Sequence, residues 1–146
     1  TGSADNTAKL WGQSRRSLIR TYRGHSGPIS AIAVASRIRR IATGSADKTV
    51  KLWSTRSRRA RRTLKGHQDT VLSVAFSKNG KWLASGSKDR TIKLWNVGNG
   101  RLLRTYTGHK GAVRTLLFSS DNKQLISGAD DGTIRYWDVN PRQAKK

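Results

Sequence analysis

Four tryptophans, Trp11, Trp53, Trp95 and Trp137, stand 42 residues apart along the chain. The same spacing relates Asp5, Asp47, Asp89 and Asp131, and also Gly2, Gly44, Gly86 and Gly128. It relates Thr7, Thr49, Thr91 and Thr133, and the pairs Gly24-His25, Gly66-His67 and Gly108-His109. No insertion or deletion breaks the frame. A fixed period of this length means one supersecondary unit built repeatedly, each copy burying its apolar face against the next.

The unit that ends at Trp95 shows the pattern most clearly. Residues 71–76 are apolar and partly β-branched, and Lys78-Asn79-Gly80 supplies a hairpin signal. A second strand follows over 81–87, and Asp89-Arg90 turns the chain again. Thr91-Ile92-Lys93-Leu94-Trp95 alternates polar and apolar side chains, as a half-buried strand does. Asn99-Gly100 marks the next turn, and 101–106 forms a fourth, outer strand. No window has helical periodicity. In the preceding unit Arg37-Ile38-Arg39-Arg40 takes the place of the Asn-Gly turn, so that hairpin is expected to be looser.

The Gly-His pair, followed by Ser-Gly-Ser-x-Asp-x-Thr-Ile-Lys-Leu-Trp, resembles the WD-repeat of β-propellers. The matching stretches are 24–53, 66–95 and 108–138, with a half unit over 1–11. The resemblance implies an all-β fold: a partial β-propeller of four-stranded antiparallel blades, two complete and two incomplete. The last blade is expected to hold three strands, over 113–118, 123–127 and 133–137. The propeller segment is read as 1–140, and 141–146 as a basic tail. The Asp of the eponymous Trp-Asp pair stands only at Asp138, against Gly12, Ser54 and Asn96 elsewhere.

The resemblance also implies a hydrogen-bonded tetrad in each blade. Three sets match by position: His25, Thr43, Asp47 and Trp53; His67, Ser85, Asp89 and Trp95; His109, Ser127, Asp131 and Trp137. The chemistry is coherent. A buried indole N–H needs an acceptor. A hydroxyl can accept from it and donate to the histidine, whose other N–H reaches the carboxylate. Strand position assigns the hydroxyl role to Ser85 rather than Ser87. The first unit has Thr1, Asp5 and Trp11 but no histidine.

Ser, His and Asp together also suit a hydrolase triad. The trio recurs three times at one spacing, each time with a tryptophan, whereas catalysis needs one site with an exposed nucleophile. The reading is therefore a folding role and no enzyme. The three histidines fall one per blade, and cysteine and glutamate are absent. No metal site and no cofactor are expected. Gly98-Asn99-Gly100 precedes neither a helix nor a Lys-Ser/Thr pair, so it is not a phosphate loop. Asp130 is expected to be a solvated turn residue.

Charge is the outlying feature: thirty Lys+Arg face eight Asp+Glu, for a formal net charge of +22. Arg56, Arg58, Arg59, Arg61 and Arg62 are assigned to one connection between third and fourth strands. Arg15, Arg16, Arg20 and Arg23 occupy the equivalent place one repeat earlier, and Arg37, Arg39 and Arg40 a neighbouring hairpin. In propeller geometry these lie on the bottom face and outer rim, where they could contact a polyanion such as RNA through phosphate. They could equally be solubilising charge. No aromatic residue interleaves the arginine runs, so base stacking is not supported. The opposite face, around Ser26, Gln68 and Lys110, carries no aromatic anchor.

No apolar run approaches the ~20 residues that cross a bilayer, and no secretory leader is seen. An intracellular protein, cytoplasmic or nuclear and not membrane-bound, is expected. Methionine is absent and Thr1 falls inside a motif, which suits a fragment, a processed chain or an engineered one. The functional expectation is a scaffold for other proteins that self-associates or completes a larger ring. The alternatives are a basic RNA- or ribosome-associated protein, and an engineered or reconstructed propeller piece without a cellular role.

Overall fold

The computed structural model describes residues 1–12 and 17–139. Thirteen strands run in chain order among them. A first sheet pairs β1 (Ala8–Trp11) with β2 (Leu18–Tyr22). A second runs β3 (Ile29–Ala35), β4 (Arg40–Ser45), β5 (Val50–Ser54) and β6 (Ala60–Leu64). A third runs β7 (Val71–Phe76), β8 (Trp82–Ser87), β9 (Ile92–Asn96) and β10 (Leu102–Tyr106). A fourth holds β11 (Val113–Phe118), β12 (Gln124–Ala129) and β13 (Ile134–Asp138). Every pairing is antiparallel between chain neighbours. No α-helix occurs among the described residues. The fold is all-β, a partial propeller whose sheets are its blades.

The core lies between the sheets, and the 42-residue columns are the contacts that build it. Ala8 and Tyr22 of the first sheet pack on Ile29, Ile41 and Trp53 of the second. Val50, Leu52 and Leu64 of the second pack on Val71, Leu83 and Trp95 of the third. Ile92, Leu94 and Tyr106 of the third pack on Val113, Leu125 and, at its edge, Trp137 of the fourth. These are the same positions shifted by one period, so each interface repeats the last. Burying such side chains contributes roughly 1.5–3 kcal/mol each.

The glycine column has a steric cause. A Cβ at Gly44 would lie 2.6 Å from Val71 Cγ1, and one at Gly86 2.6 Å from Val113 Cγ1. At Gly2 it would lie 2.7 Å from Ile29 Cγ2. Gly44 and Gly86 mark where one sheet presses its second strand onto the β-branched first residue of the next sheet's innermost strand, and Gly2, in an isolated bridge to Ala8, meets Ile29 in the same way. The missing side chain lets the sheets converge there.

The hairpin that lacks Asn-Gly closes another way. A single 3-10 turn covers Ser36–Ile38, and Arg39 takes the left-handed region at φ 54°. Its N–H bonds Ser36 O at 3.1 Å, and pairing then extends to Ala35 and Arg40. In the next sheet Gly80 takes positive φ, one residue earlier in the repeat frame.

Candidate functional site

Antiparallel strand order places the turns between first and second strands, and between third and fourth, at one edge of each sheet. The turns between second and third strands, and the links between sheets, fall at the other edge. We call these the hairpin edge and the His–Asp edge.

At the His–Asp edge the structure brings each predicted set together. His25 Nδ1 lies 2.7 Å from Asp47 Oδ2, and His25 Nε2 lies 2.7 Å from Thr43 Oγ1. Trp53 Nε1–H donates to Thr43 Oγ1 at 2.8 Å. In the third sheet His67 contacts Asp89 at 2.8 Å and Ser85 at 2.8 Å, and Trp95 Nε1–H donates to Ser85 at 2.8 Å. In the fourth sheet the distances are 2.9 Å for His109 to Asp131, 2.7 Å for His109 to Ser127 and 2.8 Å for Trp137 to Ser127. A carboxylate can only accept, so Nδ1 carries the proton in each ring and Nε2 accepts from the hydroxyl. Every polar atom in the chain of bonds then has one consistent role.

The two serines of the motif separate in function. Ser85 takes the indole and the histidine, while Ser87 Oγ accepts from Asp89 N–H at 3.1 Å and donates to Asp69 O at 3.0 Å. Ser45 does the same for Asp47 and Gly27. A further column was not given a role from sequence. Thr49, Thr91 and Thr133 each donate Oγ1–H to the aspartate Oδ1, at 2.7, 2.6 and 2.7 Å. The backbone N–H after each histidine (Ser26, Gln68, Lys110) donates to Oδ2.

The carboxylates respond to these donors. Burial opposes the charge of Asp47, but hydrogen bonds from Thr49, His25 and the backbone outweigh it and hold its pKa below the ordinary value. Asp89 is depressed in the same way, with His67 the largest donor. Asp131 is depressed chiefly by Thr133. Burial lowers the pKa of His25 despite its contact with Asp47, which favours the neutral ring that the geometry requires.

These trios offer no nucleophile. The hydroxyl-bearing residues Thr43, Ser85 and Ser127 are 0%, 0% and 1% exposed. In each, the hydroxyl oxygen already holds an indole and a histidine. No cluster of three or more metal-ligating side chains occurs among the described residues. In the first sheet Trp11 Nε1 reaches Thr1 Oγ1 only at 3.4 Å, and Trp11 is 47% exposed. Asp130 is an exposed turn residue, as expected, and it also pairs with Arg114 through bonds of 2.7 to 3.0 Å on the surface.

The hairpin edge corrects the placement of several arginines. Arg61 and Arg62 lie on β6 itself and not on the connection before it, while Arg56, Arg58 and Arg59 precede that strand; one repeat earlier, Arg20 likewise lies on β2 itself and Arg23 follows its end. Arg40 opens β4, and Arg37 and Arg39 form the turn before it. Arg15 and Arg16, and the tail 141–146, lie outside the described residues. A second repeated device emerges here. Arg62 Nε and Nη2 donate to Gly98 O in the next sheet at 3.1 and 2.6 Å. One period earlier Arg20 donates to Thr55 O, and one period later Arg104 donates to Asp138 O at 3.4 Å. Tyr22 and Tyr106 brace the same junctions, donating to Ser54 O and Asp138 O at 3.3 and 2.9 Å. Leu64 occupies that column in the middle junction and only packs.

The sequence model described as WD domain, G-beta repeat matches residues 16–54, 58–96 and 100–138. Each matched segment takes in the outer strand of one sheet and ends in the third strand of the next, so every repeat is covalently shared by two blades. No curated protein matches the chain. No helix among the described residues is long and apolar enough to cross a membrane. With these three repeats covering most of its length, the chain belongs to the WD domain, G-beta repeat family.

Proposed function

We propose that this protein is a non-catalytic scaffold whose blade stack is extended by contact with a further blade, including one from a second copy of itself. The observation that carries this reading is the outer face of the fourth sheet. Ile92 and Leu94 of the third sheet are both 0% exposed beneath the next blade, while their counterparts Ile134 and Tyr136 are 70% and 66% exposed. At the other end Trp11, the counterpart of the buried Trp53 and Trp95, is also open. At each internal junction that face is covered by residues of the next sheet's first, second and third strands, and of that set the first sheet holds Trp11, its third-strand member. A contact between unlike faces is heterologous and propagates or closes according to its rotation. The enclosed serines and the structural use of every histidine support the absence of catalysis.

Light scattering behind a sizing column tests this. Each copy carries a net charge of +22, so repulsion opposes association at low salt and is screened at high salt. Association is expected to rise with ionic strength, and Ile134→Lys is expected to abolish it while leaving the melting temperature within about 2 °C. A monomer at every salt and concentration, unaffected by that substitution, would contradict the reading.

A further inference from the structure

The eight aspartates are unevenly placed. Asp5, Asp47, Asp69, Asp89, Asp130 and Asp131 sit at the His–Asp edge. Only Asp121 and Asp138 sit at the hairpin edge, both in the fourth sheet. In the first three sheets, the described hairpin edge therefore carries cations with no carboxylate. Two cation-lined grooves run between sheets: the second opens at this edge, and the first follows β2 from Arg58 at this edge to Arg23, which stands just past Tyr22 toward the other edge. One is lined by Arg20, Arg23 and Arg58 together with Leu18 and Ile19. The other, of about 330 Å³, contains Arg40, Arg61, Arg62 and Lys81. The equivalent groove at the last junction differs, because Asp121 and Asp138 line it beside Lys123.

One arginine of each groove is anchored, and none of the grooves' cations forms an ion pair among the described residues. Arg62 is anchored on Gly98 O and Arg20 on Thr55 O, which uses only part of each guanidinium. Arg20 Nε is buried with no partner. Arg40 is partly desolvated beside the like charge of Arg61, which together depress its pKa. An anion in the groove would relieve both conditions.

We propose that these two grooves bind the phosphate backbone of a single-stranded nucleic acid, through Arg20, Arg23 and Arg58 in one and Arg40, Arg61 and Arg62 in the other, without reading its bases. Stacked sheets lie ~10 Å apart, so one extended polyanion can lie across both grooves where a single small anion could not. Guanidinium forks match phosphate oxygens in pairs. A phosphodiester chain presents acceptors only, as a donor-lined groove requires. An acidic peptide also brings N–H groups, and Gly98 O, a carbonyl of a residue lining the second groove, is already taken by Arg62. No aromatic side chain lines either groove, so nothing there would stack on a base.

The test is fluorescence anisotropy of a labelled 20-nucleotide oligouridylate across a salt series, with the whole chain. Arg40→Gln combined with Arg61→Gln should weaken binding about tenfold and reduce the log–log salt slope by about 1.4, ~0.7 per lost phosphate contact. Arg23→Gln with Arg58→Gln should act similarly at the other groove. Lys88→Ser with Lys110→Ser removes the same charge from the His–Asp edge and should weaken binding less than about threefold. An oligoadenylate should bind within about threefold of oligouridylate. Equal losses from all three pairs would reduce the effect to diffuse attraction and overturn the proposal. So would a poly-glutamate of matched charge that competes as well as the oligonucleotide. Either result leaves the blade-stacking scaffold untouched, since that reading rests on the end faces.

Discussion

Ser85→Ala is expected to destabilise the protein by about 2–4 kcal/mol, read as a shift of the urea midpoint without a large change in slope. The substitution removes one small oxygen from a residue that is 0% exposed. Two buried partners then lose their bond together: the Trp95 indole N–H and the acceptor nitrogen of His67. Each stranded group costs about 1–3 kcal/mol. The same change at Ser127 should cost less, because its tryptophan, Trp137, is only partly buried. An unchanged midpoint for Ser85→Ala would remove the tetrad from the account of stability.

Gly86→Ala should cost about 1–3 kcal/mol for a different reason, overpacking at a junction between sheets. The added methyl would stand 2.6 Å from both Val113 Cγ1 and Ser73 Oγ, and 3.0 Å from Val113 Cβ. Combining it with Val113→Ala should recover part of the loss, so the double mutant would be less unstable than the sum of the singles. Gly128→Ala is the internal control. A Cβ there meets only Thr115 Cγ2, at 2.9 Å, within its own sheet. Equal effects at Gly86 and Gly128 would mean that the glycine column does not mark where blades converge.

The strands were legible in the sequence because one face of each alternates and the period aligns four copies. The order of strands within a sheet followed from the turns at Asn79-Gly80, Asp89-Arg90 and Asn99-Gly100. What sequence alone could not supply was the partner of each side chain across the junction between sheets. The column Arg20, Arg62 and Arg104 was visible at 42-residue spacing. Arginine in a chain this basic reads first as charge, and its carbonyl partners lie 34 to 36 residues away. Thr49, Thr91 and Thr133 were likewise visible as a column, but a threonine on a strand is expected for β-propensity alone. Their bond to the aspartate depends on the turn geometry. The serine pair was ambiguous in type and separable only by position along the strand: two residues apart, Ser85 and Ser87 share a face, and Ser87 stands at the strand end beside the Asp89 turn. Arg39 illustrates a limit of turn rules. A residue disfavoured at positive φ took it because the strands on both sides fix the hairpin.

Hydrogen exchange of the five indole N–H groups, followed by NMR, addresses the central claim that the repeat columns build buried polar tetrads. Trp53 and Trp95 should exchange slowest, being 0% and 2% exposed and bonded to Thr43 and Ser85. Trp137 should follow, and Trp11, 47% exposed, should exchange far faster. Exchange of Trp53 and Trp95 at the rate of Trp11 would contradict the tetrads, and with them the stacked blades.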